Sequence, residues 1–238
     1  MENGKAIILS AGQGTRLLPL TADMPKCLIK IDGKAILDHQ LDALAAAGVA
    51  HPYVVGGYRF EKLAAHIAAR GDGTDLLFNP FWLVASSISS VWAARALLEG
   101  DFVILNGDTI YAANLLAQGF AGCRKGISLF VQRVDTPELD DMLVEVEDGV
   151  VRAVGKTLAP ARARYRSLGI IAGRQDEGQY RAALDTVIAR EGGILNYHHA
   201  IIGEIAQNGT VQAIVVNRDD WIEIDRPEDI AAWHSRGL

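Results

Sequence analysis

Cysteine is scarce: Cys27 and Cys123 are the two in a chain of 238 residues. Two thiols cannot build a disulfide framework, and their scarcity fits a reducing, cytoplasmic setting. Basic residues are also in the minority, with 23 Lys plus Arg against 29 Asp plus Glu and a net charge of −6. No block of Lys and Arg interrupts that balance, which argues against nucleic acid as a partner. Long apolar runs are missing as well. Nothing approaches the roughly 18–20 residues needed to cross a bilayer, so no membrane insertion is expected. The run Ala6-Ile7-Ile8-Leu9 is too short for the core of a secretory leader. There is no internal repeat, and in particular no hexapeptide β-helix tail. What is present is a globular composition, 50% apolar and 22% charged, which excludes a disordered or collagen-like chain. The expectation is a soluble intracellular domain.

Strands alternate with helices over the first half. Residues 5–10 read as a buried strand that runs into glycine-rich sequence at Gly12. Ile36, Leu37, Gln40, Leu41 and Leu44 form one stripe, which predicts a helix over 36–47 with Gly48 as its stop. Further strands are predicted at 53–55, 76–78 and 102–105, and further helices over 61–69 and 90–98. This β-α-β rhythm implies a mainly parallel sheet, which binds ligands at the carboxyl ends of its strands. After Lys125 the strand-like segments 127–134, 142–146, 150–154 and 168–172 crowd together, with Glu147-Asp148-Gly149 as a hairpin turn. Helices return over 179–190 and 197–207, followed by strands at 211–216 and 221–224. Pro227 opens a last short helix with Glu228 and Asp229 in its first turn. Residues 157–166 are the most loop-like stretch. The pattern predicts one domain with an α/β half and an antiparallel insertion.

The segment Ala11-Gly12-Gln13-Gly14-Thr15-Arg16, continued by Pro25-Lys26-Cys27-Leu28, carries the strongest chemical signal. Gly12 and Gly14 let backbone N–H groups approach an anion closely, and Arg16 and Lys26 add two cations to the same stretch. A P-loop would need Gly-Lys-Ser/Thr after four residues, and a dinucleotide fingerprint would need glycine where Leu17 stands. Asn106-Gly107-Asp108 ends a predicted strand, where a carboxylate is placed either to hold a hard cation or to cap the next element. Glu223 and Asp225 lie two apart on another, so their side chains share a face. Two such like charges require a cation, protonation or full solvent exposure. Trp82, Tyr165, Tyr197 and Trp221 could enclose a quaternary ammonium or could be ordinary core and rim residues. His198-His199 has no zinc-ligand spacing with either cysteine.

Together these stretches resemble the sugar-nucleotidyltransferase superfamily, whose signature is Ala-Gly-x-Gly-Thr-Arg followed by Pro-Lys-x-Leu. Gly57-Tyr58, Asn79-Pro80, Gly107-Asp108 and Glu223-Ile224-Asp225 fall in the family's order, and the arrangement most resembles the phosphocholine cytidylyltransferase branch. The resemblance implies a single Rossmann-like α/β nucleotidyltransferase domain over 1–238, with a mostly parallel central sheet. Residues 1–125 would be mainly nucleotide-binding and 126–238 mainly acceptor-binding. It implies Mg²⁺-dependent transfer of CMP from CTP, or of a nucleotidyl group from another NTP, to a small phosphorylated or phosphonate acceptor such as phosphocholine, with release of pyrophosphate. Lys26 and Arg16 would be catalytic. Leu9, Ala11, Gly12, Gln13, Gly14, Thr15, Gly57, Asn79, Ser90 and Gly107 would join them around the nucleotide. Asp108 and Asp225 would hold the metal, with Glu223 as a further ligand or a contact to the acceptor's cationic head. Lys156, Gly169, Tyr197 and Trp221 would face the acceptor. Arg166 stands where relatives often carry an acid, and Leu143 where a Lys is common. A sugar-1-phosphate uridylyl- or guanylyltransferase is the alternative within the superfamily, and a non-catalytic nucleotide-sensing subunit the alternative outside it. A homodimer is compatible with either.

Overall fold

Alternate residues of the first strand serve opposite layers of the molecule. In the computed structural model, which describes residues 4–112 and 114–236, Ala6 and Ile8 enter one apolar cluster and Ile7 the other. The same holds for Val103 and Leu105 against Phe102 and Ile104. A strand buried on both faces reads as a continuous apolar run, because helices cover both sides of its sheet.

The elements follow in chain order. Strand β1 is Lys5–Ser10, and the two-residue strands β2 (Lys30–Ile31) and β3 (Lys34–Ala35) precede helix α1 (Ile36–Ala46). The alternation continues through β4 (His51–Gly56), α2 (Phe60–Arg70), β5 (Asp75–Phe78), α3 (Ile88–Ala93) and β6 (Gly100–Asn106). Then come β7 (Thr109–Tyr111), α4 (Leu115–Gly122), β8 (Gly126–Arg133), β9 (Leu143–Glu147), β10 (Val150–Gly155) and the long β11 (Tyr165–Asp176). Helices α5 (Gln179–Ile188) and α6 (His199–Asn208), strands β12 (Val211–Val216) and β13 (Trp221–Glu223), and helix α7 (Pro227–Arg236) complete the described residues.

The main sheet has nine strands among the described residues, in the order β5-β4-β1-β6-β11-β8-β12-β10-β9, and β11 also pairs with β9. Pairings β5–β4, β4–β1, β1–β6 and β8–β12 are parallel. Strand β11 joins antiparallel between β6 and β8, so the sheet is mixed and the antiparallel strands are continuous with it. The domain is a single α/β unit. Helices α1, α2 and α4 contribute Leu41, Leu63 and Phe120 to one face, and α3, α5 and α6 contribute Val91, Leu184 and Ile202 to the other. A third cluster, with Leu17, Ile31, Ile110, Ile224 and Trp233, fastens the glycine-loop region to α7. Among the described residues no helix is long and apolar enough to cross a membrane.

The central sheet is mixed, with antiparallel strands built into it, where a mostly parallel sheet with a small antiparallel insertion is expected; the other differences are local. The helix expected over 90–98 ends at Ala93, and a 3-10 turn at Arg95–Leu97 takes over. Strand β11 begins at Tyr165, inside the stretch expected to be loop, because Tyr165 and Arg166 pair with both β8 and β9. The sequence pattern predicts neither helix α4 nor strand β7. Gly119 and Gly122 lower the helical propensity of α4, and β7 is too short to show a period.

Candidate functional site

Register places the chemistry at one end of the sheet. Leu9 of β1 stands between Val55 of β4 and Asn106 of β6, so the chain leaves all three parallel strands at the same edge. The Gly107 N–H donates to the Leu9 carbonyl at 3.0 Å, and the Tyr58 N–H to that of Ala11 at 2.9 Å. These bonds knit the strand ends into the floor of a cleft of about 750 Å³.

The glycine loop forms one wall. Gly14 has φ +70°, and a Cβ there would sit 2.9 Å from Lys26 Cβ and Cδ. Its lack of a side chain lets the Lys26 stem cross the loop, and its left-handed backbone is one that other residues rarely adopt. Thr21 fixes the turn by donating to the Gly14 carbonyl at 2.9 Å. Arg16 is half exposed, donates to Asp140 at 2.9 Å and ion-pairs with Asp225.

The carboxylates lie directly against Lys26 and Arg16, and a pair of three-residue strands aligns them. β13 runs antiparallel to β7, with Trp221 opposite Tyr111 and Glu223 opposite Thr109. The Ile224 N–H donates to the Asp108 carbonyl at 2.8 Å. Asp108, Glu223 and Asp225 therefore converge although more than a hundred residues separate the first from the others. One ligand atom from each lies within 4.8 Å of the other two, an all-oxygen set of the kind hard divalent cations accept. Lys26 Nζ bridges Asp108 and Asp225 at 2.7 Å each. Burial by itself would lower the Lys26 pKa, but the two carboxylates outweigh it and hold the ammonium above the ordinary lysine value. Glu223 opens to the cleft, yet the surrounding protein withdraws much of its water. That loss, with Asp108 and Asp225 beside it, pushes its carboxyl up to about 8.

The sequence-predicted residues divide as follows. Leu9, Ala11, Gly12, Gly14, Thr15, Arg16 and Lys26 line the cleft, as do Asn79, Ser90 and Gly107. So do Asp108, Glu223 and Asp225, and the residues expected at the acceptor, Lys156, Gly169, Tyr197 and Trp221. Gln13 and Gly57 are not among the lining residues. Gly57 lies beneath Trp82, where a Cβ would come within 2.5 Å of that side chain. Asn79 is buried and acts as a bracket: its amide donates to Ser89 and Ser90 at 2.9 and 3.1 Å, while its oxygen accepts from Phe81 N–H. Gly169 has φ +70° and leaves room for Asn106, whose side chain would meet a Cβ at 2.2 Å.

The aromatic enclosure takes a different form from that required by a quaternary ammonium. Arg166 lies over the Trp221 ring at 4.8 Å, and Lys156 over the Tyr197 ring at 4.9 Å.

Other lining residues went unrecognised in the sequence. Asp140, on the connection between β8 and β9, receives Arg16, Lys156 and Arg226 at 2.9, 3.6 and 3.3 Å. The Lys156 and Arg16 cations hold its carboxyl below the usual range. The acidic run Glu138-Leu139-Asp140-Asp141 was a visible signal for it. His198 and His199 line the cleft floor almost fully buried, with rings 4.2 Å apart. His198 bonds Ser87 at 3.0 Å and His199 bonds Ser167 at 2.9 Å.

Residues 5–121 match the family model described as nucleotidyl transferase. Among curated relatives, the CTP:phosphoglutamine cytidylyltransferase of Campylobacter jejuni is 53% identical over 63% of this chain and 65% of its own. The UTP–glucose-1-phosphate uridylyltransferase AglF of Haloferax volcanii is 37% identical over 47% of this chain and 46% of its own. The chain spans about half the length of several of the curated relatives it matches. The fold resembles that of the inositol-1-phosphate CTP transferase from T. maritima, with a TM-score of 0.83 over 100% of this chain and 96% of the other at 18% identity. Residues 5–121 thus carry a nucleotidyl transferase domain, and the chain as a whole shares the fold of the solved structures it resembles.

Proposed function

We propose that the protein is a Mg²⁺-dependent cytidylyltransferase that moves CMP from CTP to a small phosphorylated acceptor and releases pyrophosphate. One observation carries the reading: the glycine loop, Lys26 and the carboxylates of Asp108, Glu223 and Asp225 meet in one strand-end cleft, with Lys26 bridging two of the three acids. The cytidylyltransferase relative at 53% identity supports CTP as the donor.

The acceptor phosphate oxygen is already anionic near neutral pH, since a phosphate monoester's second pKa is about 6. No strong base is needed. An acceptor oxygen attacks the α-phosphorus, and the α–β bridging bond breaks as pyrophosphate departs with the electron pair. The protein's task is to bring two polyanions together and neutralise charge. Loop N–H groups and Arg16 hold the β- and γ-phosphates, and Lys26 faces the α-phosphate. Lys156 takes the acceptor phosphate. Asp108, Asp225 and Glu223 would hold Mg²⁺, which neutralises charge on phosphate oxygens and orients them. Phosphates entering the cleft supply Arg16 and Lys156 with stronger partners than Asp140.

A sugar-1-phosphate uridylyl- or guanylyltransferase is the second reading, supported by the uridylyltransferase relative. Pyrophosphate release measured for four NTPs against phosphorylated amino compounds and hexose-1-phosphates separates them. The expected result is turnover with CTP and a non-sugar acceptor. Turnover confined to UTP or GTP with a sugar phosphate favours the second reading, and nucleotide binding without turnover favours a sensing role.

A further inference from the structure

Two aromatic rings that line the cleft carry the protein's own cations, Arg166 over Trp221 and Lys156 over Tyr197. Trp221 is 3% exposed, so little of its ring remains beyond the face that Arg166 covers. A quaternary ammonium arriving here meets like charge where it needs an aromatic face.

Arg166 is held in place. Its Nε and Nη2 donate to Gln132 Oε1 at 3.4 and 3.2 Å, and Nη1 donates to Asp141 at 3.2 Å. The same Gln132 oxygen accepts from Trp221 Nε1 at 3.0 Å, which locks ring and guanidinium together. These bonds use three of the five guanidinium N–H groups. The side chain is still 27% exposed on the cleft wall. A rigid, permanently charged fork with donors to spare is the group best suited to a carboxylate.

Strand register sets the span. Gly155 of β10 and Arg166 of β11 both stand opposite Leu143 of β9, on its two sides. Lys156, next to Gly155, and Arg166 thus spring from strands two spacings apart, about 10 Å. Two long cationic side chains at that separation can hold a small molecule by both ends.

We propose, building on the cytidylyltransferase reading, that Arg166 is a specificity-determining residue that selects an acceptor carrying a carboxylate at the end opposite its phosphate. Phosphorylated amino or hydroxy acids fit this rule, and phosphocholine does not.

The test compares matched acceptors that differ by the carboxylate alone. O-Phosphoserine is set against phosphoethanolamine, and O-phosphohomoserine against 3-aminopropyl phosphate, with phosphocholine alongside. Pyrophosphate release with CTP and Mg²⁺ gives kcat and KM, and calorimetry gives binding of each acceptor without turnover. A charge-assisted pair predicts a preference of roughly 10- to 100-fold in kcat/KM for the carboxylated member of at least one pair, chiefly through KM. Arg166→Gln should erase that preference while leaving the decarboxylated partner's rate within a few fold, and Arg166→Lys should restore part of it. Equal use of both members, preference for phosphocholine, or an Arg166→Gln variant with an unchanged ratio overturns the proposal. Carboxylate-dependent binding without turnover for any NTP upholds Arg166 and removes the cytidylyltransferase reading. Absence of both binding and turnover removes the Arg166 proposal too. Should Arg166→Gln fail to fold, the wild-type ratios and Arg166→Lys decide the matter.

Discussion

A buried ammonium between two carboxylates sets the character of the site at the scale of single residues. Lys26 is 9% exposed, and its charge is balanced by Asp108 and Asp225. A nearly desolvated cation placed where negative charge accumulates acts more strongly than one in water. Lys26→Ala should therefore lower kcat/KM by about 100- to 1,000-fold, the cost typical of losing a preorganised charge-stabilising donor. Circular dichroism should show an intact fold, and pyrophosphate release gives the rate; a variant within about five-fold of wild type would remove Lys26 from catalysis. Lys26 and its glycine loop were legible in the sequence because phosphate chemistry demands particular residue types at short, fixed spacings. Asp140 and the role of Arg166 were not. Their partners lie 124 residues away for Asp140 with Arg16, and 34 away for Arg166 with Gln132, so the acidic run at 138–141 marks where Asp140 lies but no local pattern announces what either residue holds.

Elements differ in legibility for the same reason. Strands β1 and β6 were readable because burial on two faces demands an unbroken apolar run, and the β9–β10 hairpin because Asp148 and Gly149 both take positive φ, 52° and 75°. The β7–β13 pair was half visible: 221–224 read as a strand, but its three-residue partner did not. That pairing is what brings Glu223 alongside Asp108. At the start of α6, the adjacent His198 and His199 were readable only as lacking zinc spacing. Buried between the sheet and the cleft, they give stability a pH dependence with a definite sign. Burial pushes His198 down to about 4 and His199 well below the ordinary value. Each therefore binds fewer protons folded than unfolded, so its contribution is full above pH 6.5 and is lost as pH falls below that, towards about 4 for His198. For His198 that loss is up to about 3 kcal/mol. Glu223 works in the opposite direction, since its raised pKa favours the folded state below about 4.5 and that contribution fades as pH rises through about 8. A difference between variants separates the two. Urea midpoints of wild type should drop between pH 7 and pH 5 by more than those of His198→Gln; equal drops would show that His198 contributes nothing to acid sensitivity.

Across the whole molecule, the anion loop comes from the first strand's end, one carboxylate from the chain's middle and two from near its close. The site exists only when sheet, β7–β13 pair and α7 are assembled. The overall charge of −6 is no obstacle to binding a polyanion, because Arg16, Lys26 and Lys156 act at short range while distant acids are screened beyond about 10 Å. An assembled site couples ligand to fold: whatever binds only the native state stabilises all of it. With CTP and Mg²⁺ at about 100 times the dissociation constant, stabilisation is about 2.7 kcal/mol. For a chain of this size that amounts to a rise of roughly 5–10 °C in the thermal midpoint. Most of the rise should depend on the metal, because Lys26 and Arg16 are already paired with Asp108 and Asp225 and a triphosphate brings further negative charge to the same place. Removing Mg²⁺ with EDTA should therefore reduce the CTP-induced shift to a small fraction. Asp108→Asn combined with Asp225→Asn should abolish the metal-dependent part, measured by differential scanning fluorimetry, and should also lower the unliganded midpoint, because Lys26 loses both of its charge partners. If CTP stabilises the protein equally with and without EDTA, the carboxylate cluster is not a metal site, and Lys26 with its two aspartates is a structural ion pair beside a nucleotide pocket that works without one.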